Sequence, residues 1–218
     1  AVPAILKFSP IALEMLDRTV ARSNDDKTSD TGCLLIIEFA GNSSSNKVER
    51  CMRACKQELA DRCSVIEYAS DEQSITKIWR ARKNALNSIM KLTLGNRKPL
   101  GLIEDTVVRP DNLVEHACNL LKIYQENRLD YVIYGHVGDG NMHTRPLIDT
   151  ASTKEVELIR EIANNVFAQV IKRGGTITGE HGDGIARVFD SRGDDAVHQR
   201  LVAQVVAATE VQVAQVLD

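Results

Sequence analysis

Between Gly101 and Gly179 the apolar residues change period repeatedly, and this alternation constrains the fold more than any other feature of the sequence. The runs Gly101 to Val108, Tyr131 to Val137, Met142 to Ile148 and Thr176 to Gly179 have the length of strands, whereas Asp111 to Asn127 and Thr153 to Lys172 repeat their apolar positions with helical spacing. Pro110 supplies a helix start signal. The predicted order, β-α-β-β-α-β, is the split βαβ plan of ferredoxin-like domains.

Upstream, Ile11 to Ala21 reads as a helix with Leu13, Leu16 and Val20 on one side. Gly32 to Ala40 is a short Gly-bounded apolar run and reads as a strand. Asn46 to Asp61 follows as a helix behind Ser43 to Ser45, and Ser64 to Ala69 as a strand. Asp71 opens a helix that runs to about Leu92, with Asp71 and Ser74 as alternative caps, and Asn96 to Pro99 breaks it. Residues 32 to 69 thus supply half of a second unit. The expected fold is α+β, with duplicated ferredoxin-like units in an antiparallel sheet and helices on one side, although no sequence repeat accompanies the duplication.

Composition narrows the function classes. A net charge of -3 argues against a phosphate-tracking nucleic-acid binder. Apolar runs such as Cys33 to Ile37 extend about five residues, far short of the roughly 20 of a membrane span. The start Ala1-Val2-Pro3-Ala4 has neither an initiator Met nor the pattern of a signal peptide, and reads as an excised piece of a longer protein. Five cysteines are an odd number in a chain long enough to be held by its core, which favours free thiols and a cytoplasmic setting.

The chemistry concentrates in Gly135-His136-Val137-Gly138-Asp139-Gly140-Asn141-Met142-His143 and in Gly179-Glu180-His181-Gly182-Asp183-Gly184, which hold three of the five histidines. Asp139-Gly140 is a strong two-residue hairpin signal; it pairs 138 with 141, 137 with 142 and 136 with 143. His136 and His143 would then face each other, close enough to share one metal ion. The same hairpin also fits solvated or hydrogen-bonded histidines. The second segment offers a carboxylate and another His at a strand's end, and two His plus one Glu is a standard set for a catalytic divalent metal. Neither GxGxxG nor GxxxxGK[ST] occurs at these glycines, so they read as turn residues.

The pair GHVGDGNMH and GGTITGEHGDG resembles the signatures of the C-terminal, substrate-side domain of FAD-linked oxidases of the vanillyl-alcohol oxidase superfamily, in the D-lactate, glycolate and D-2-hydroxyglutarate dehydrogenase branch. Ile78-Trp79-Arg80-Ala81-Arg82-Lys83 and Ile103 to Pro110 are weaker echoes of the same family. The resemblance covers residues 1–187. It implies a divalent metal, Zn or Mn, held by His136, His143 and Glu180, with His181 as catalytic base and Asn141 and Arg82 as substrate contacts. It also implies oxidation of a D-2-hydroxy acid with hydride transfer to FAD. The flavin would be bound mainly by an upstream domain of the same polypeptide, so the fragment by itself is expected to be inactive. GEHGDG followed by Ile185-Ala186-Arg187 is closest to large relatives that add an iron-sulfur module, a route to peripheral membrane association through the electron acceptor. Residues 188–218 depart from the family's usual ending and read as a divergent helical tail. A simple four-stranded plan puts the end of the last strand opposite the hairpin turn, so Glu180 as third ligand rests on the resemblance alone. Two other readings use the same residues: a stand-alone α+β metal-binding or regulatory module, and a metal-dependent hydrolase with a bound water.

Overall fold

The fold is built outward from one antiparallel hairpin. The structure, a computed structural model, describes residues 1–24, 32–41, 46–63 and 66–182. In chain order it contains α1 (Val2–Leu6), β1 (Ala12–Asp17), α2 (Arg18–Asn24), β2 (Cys33–Glu38), α3 (Lys47–Leu59), α4 (Glu72–Met90), β3 (Lys98–Pro99), β4 (Thr106–Val107), a 3-10 turn at Pro110–Asn112, α5 (Leu113–Glu126), β5 (Tyr131–Gly135), β6 (Asn141–Ile148) and α6 (Thr153–Lys172). The sheet order is β2-β1-β5-β6-β3, with β4 also paired to β6, and all pairings are antiparallel. Among the described residues no helix is long and apolar enough to cross a membrane.

Four expected elements differ. Ile11 to Ala21 splits into β1 and α2, because Ala12 to Asp17 buries an apolar residue on each face, Leu13 and Leu16, and is paired on both edges, by β2 and β5. Sheet context overrides a helix-like spacing there. Asp17 then starts the helix, its Oδ1 accepting from Val20 N at 2.8 Å. The strand expected at Gly101 to Val108 shrinks to Thr106–Val107, and the strand expected at Thr176 to Gly179 shrinks to a single bridge between Val107 and Thr176. Both are cut short because the flanking backbone turns to serve buried side chains of the site. Residues 66–69 form no strand, so no second ferredoxin-like unit is seen among the described residues. The expected tail at 188–218 lies outside them.

The long helices follow their sequence signals. α4 begins where Asp71 Oδ1 accepts from Ser74 N at 2.8 Å, and α6 has the expected bounds behind Ser152. The main core joins Leu13, Ile133 and Met142 of the sheet to Leu120 and Tyr124 of α5 and Ile159, Val166 and Val170 of α6. A smaller cluster joins Leu16, Val132 and Tyr134 to Val20 of α2 and Ala85 and Ile89 of α4. Neighbouring residues of a strand face opposite sides, so α2 and α4 cover the second face, adding to the one-sided helical layer expected. They cover it only in part, and the polar site occupies the remainder.

Candidate metal and substrate site

The hairpin is longer than the dipeptide Asp139-Gly140 suggests. Tyr134, not His136, stands opposite His143, and His136 to Gly140 form the loop. Asp139 N and Asn141 N both donate to His136 O, at 3.0 and 3.1 Å. Neighbouring chain pins the loop on both sides: Gly138 N donates to Leu13 O at 3.0 Å and Val108 N to Gly140 O at 3.1 Å. Gly140 has φ +76°, and a Cβ there would lie 1.8 Å from Val108 O, so the close approach requires glycine. These contacts displace the register by two residues. A shift of two preserves the face, and the His136 and His143 rings still meet edge-on with centroids 5.4 Å apart.

The two imidazoles are oriented from behind. His143, 2% exposed, has Nδ1 2.8 Å from the carbonyl of Glu104. A carbonyl can only accept, so Nδ1 carries a proton, and in the neutral ring that burial favours the lone pair is on Nε2. His136 Nδ1 lies 2.6 Å from Glu14 Oε1, which turns its Nε2 toward the same point. That point is Glu180 Oε1, 3.1 Å from His136 Nε2 and 3.0 Å from His143 Nε2. His181 stacks on His143 with centroids 5.0 Å apart and sets its own Nε2 3.2 Å from Glu180 Oε1. The structure thus brings together His136, His143, Glu180 and His181, including the carboxylate that the simple topology had placed far away.

This donor set fits a divalent ion. Two imidazole nitrogens and one carboxylate oxygen lie within 4.8 Å of one another. Ligands about 2.0–2.1 Å from a tetrahedral zinc stand roughly 3.3 Å apart, close to the Nε2-to-oxygen spacings here.

A charged ring surrounds this centre. Glu14, 5% exposed on β1, accepts from Arg82 Nε at 2.9 Å and Nη2 at 2.8 Å, so one carboxylate joins Arg82 to His136. Burial pushes the Glu14 carboxyl up, but His136 and Arg82 outweigh it and hold it below the usual range. The hydrogen bond that His136 donates to Glu14 raises His136, with burial opposing, whereas burial lowers His143. Arg82 lies over the Tyr134 ring, 5.5 Å from its centroid. Arg145 pairs with Glu104 Oε2 and donates to Tyr134 Oη at 3.2 Å, while Glu104 Oε1 lies 3.3 Å from His181 Nδ1. Asn141, expected at the substrate, is turned inward and 5% exposed: its Nδ2 donates to Asp105 Oδ1 at 2.9 Å.

Sequence reasoning did not select Glu14, Glu104, Asp105 or Arg145. Glu104 and Asp105 stand inside the Ile103 to Pro110 stretch, and Arg145 shares the face of His143 two residues on. Glu14 interrupts the apolar run Ala12 to Leu16, a signal in the sequence of a carboxylate bound for the interior.

Known proteins resemble this chain in sequence and in fold. The family described as FAD linked oxidases, C-terminal domain, matches residues 1–205. The D-2-hydroxyglutarate dehydrogenase of Haemophilus influenzae is 34% identical over 205 residues, covering 84% of this chain and 20% of the relative. The glycolate oxidase subunit GlcD of Bacillus subtilis is 28% identical over 185 residues, 82% of this chain and 38% of the relative. A probable mitochondrial D-lactate dehydrogenase of Danio rerio is 30% identical over 155 residues, 70% of this chain and 30% of the relative. The chain therefore spans between a fifth and two fifths of the length of these relatives. In structure it is similar to a 4-ethylphenol oxidase from Gulosibacter chungangensis, with TM-score 0.55 and 9% identity over 91% of this chain and 45% of that one, a likeness of fold. The match across nearly the whole chain, together with the paired histidine segments, makes this chain a member of the family of FAD-linked oxidase C-terminal domains.

Proposed function

We propose that the chain is the substrate- and metal-binding domain of an FAD-dependent dehydrogenase that oxidises a D-2-hydroxy acid, of the D-lactate, glycolate or D-2-hydroxyglutarate type, to the 2-oxo acid. The observation that carries this reading is the meeting of three imidazole Nε2 atoms at one Glu180 oxygen, at 3.0 to 3.2 Å. The names of the relatives support the substrate class.

His136, His143 and Glu180 would hold a Zn²⁺ or Mn²⁺ ion and leave positions open for substrate oxygens. When bound, the ion supplies Lewis acidity toward the substrate hydroxyl and carboxylate, and FAD, held mainly by another domain of the same polypeptide, supplies the hydride acceptor. His181 would take the hydroxyl proton at Nε2, a reading supported by Glu104 facing its Nδ1. Arg82 would meet the substrate carboxylate with its remaining Nη, since Glu14 engages Nε and Nη2. Asn141 would act on the substrate side only through Asp105. An iron-sulfur module as electron acceptor, and a cytoplasmic location with membrane attachment through that acceptor, belong to the same proposal.

Calorimetry of the chain with Zn²⁺ or Mn²⁺ tests the centre. Wild type should bind and His143→Ala should not; equal binding by both removes the histidines as ligands. D-lactate turnover by the isolated chain, with or without added FAD, would refute the two-domain account.

A further inference from the structure

The turn that delivers Glu180 and His181 is gathered around a single carboxylate. Asp105 is 0% exposed. Its Oδ2 accepts from Gly179 N at 2.8 Å, Glu180 N at 3.0 Å, His181 N at 2.8 Å and Thr178 Oγ1 at 2.9 Å, while Oδ1 accepts from Asn141 Nδ2 at 2.9 Å. In an extended strand successive N–H groups point to opposite edges, so three in a row cannot reach one oxygen. The chain must curl at this point, and curling lets two adjacent side chains, Glu180 and His181, face the same histidine pair. Gly179 allows the close approach: a Cβ there would lie 2.3 Å from Asn141 Nδ2 and 2.5 Å from Val107 Cγ2.

Asp105 is also close enough to His143 and His181 to be considered a ligand itself. Five hydrogen bonds already occupy its two oxygens. The His143 nitrogen nearest to it, Nδ1 at 4.0 Å, is engaged by the Glu104 carbonyl. We propose that Asp105 is the positioning residue that folds the turn at Gly179 to His181 and so sets Glu180 in place as third ligand. The inference rests on the metal reading above.

Asp105→Asn keeps the shape but must aim an NH₂ either at Asn141 Nδ2 or at the three backbone donors. In the metal-free full chain, amide hydrogen exchange at Gly179, Glu180 and His181 should accelerate about tenfold or more. Unchanged protection in a folded Asp105→Asn chain overturns the proposal. Mn²⁺ affinity should fall about 10- to 100-fold in Asp105→Asn, the range typical of residues that orient a ligand. In a Glu180→Gln background the same substitution should change affinity by less than about threefold. An undiminished affinity, or the same factor in both backgrounds, overturns it. Should Asp105→Asn fail to fold, Gly179→Ala perturbs the same contact from the turn's side, and the same two measurements decide by the same criteria. A wild-type chain that binds no Mn²⁺ removes the metal reading and with it the ligand-setting half of the proposal, while the exchange experiment still decides whether Asp105 holds the turn.

Discussion

The two faces of the β5–β6 hairpin share a backbone and divide the work. On one face Ile133 and Met142 enter the apolar core under α5 and α6. On the other, Tyr134, His143 and Arg145 meet Glu14, Arg82 and Glu104. Because side chains alternate along a strand, residues next to each other in sequence enter unrelated environments. Met142 is surrounded by hydrocarbon, and His143 beside it turns its Nε2 to a carboxylate. The lesson is that stability and chemistry should be separable here at single-residue resolution.

The largest test of that separation is His181→Ala in the complete flavoenzyme. It should slow flavin reduction by about 10² to 10⁴, the usual worth of a positioned base, and leave metal affinity and unfolding midpoint near wild type. Stopped-flow reduction at the wild-type rate would move the search for the base to His136 or His143. Next, Met142→Ala should cost about 2–5 kcal/mol in urea unfolding and leave Zn²⁺ affinity of the folded chain unchanged. If it instead weakened metal binding more than folding, the two faces would not be independent.

A third test uses pH. His116 of α5, on the core side, is buried, with its Nε2 2.9 Å from Thr106 Oγ1; burial, helped by the Arg173 charge, pushes its pKa down to about 4. Its folded value lies below the unfolded value of 6.5. The unfolded chain therefore binds the extra proton between these limits, and stability is full above pH 6.5 and declines as pH falls toward 4. The loss from this group is on the order of 3 kcal/mol. His116→Gln should flatten the stability profile across that window, and an unaltered slope would assign the acid lability to other groups. The smallest effect is expected from Ser152→Ala, which removes the cap at Glu155 N. It should cost about 1 kcal/mol and leave metal affinity untouched, a control for stability loss at a distance from the site.

The family and most residues of the candidate site were legible because they sit in local patterns. GHVGDGNMH and GGTITGEHGDG mark His136, His143, Glu180 and His181, and α5 and α6 follow from helical periodicity and start signals. The hairpin itself was readable, but not its register. Asp139-Gly140 favours the tightest turn, and only docking of Gly138 on Leu13 and Gly140 on Val108 selects the longer loop. Ile11 to Ala21 differs from its helical spacing for a related reason, since that spacing gives way once β2 and β5 pair with both edges of β1.

What the sequence determined by itself was which residue types are available for chemistry and which segments present them. Only the tertiary structure decided that Glu14 links Arg82 to His136 across 68 and 122 residues of chain, and that Asp105 gathers a turn 74 to 76 residues away. The physical reason is that a carboxylate carries no periodicity of its own. Its role is set by the donors that surround it once water is excluded, and those donors come together only when distant strands have packed.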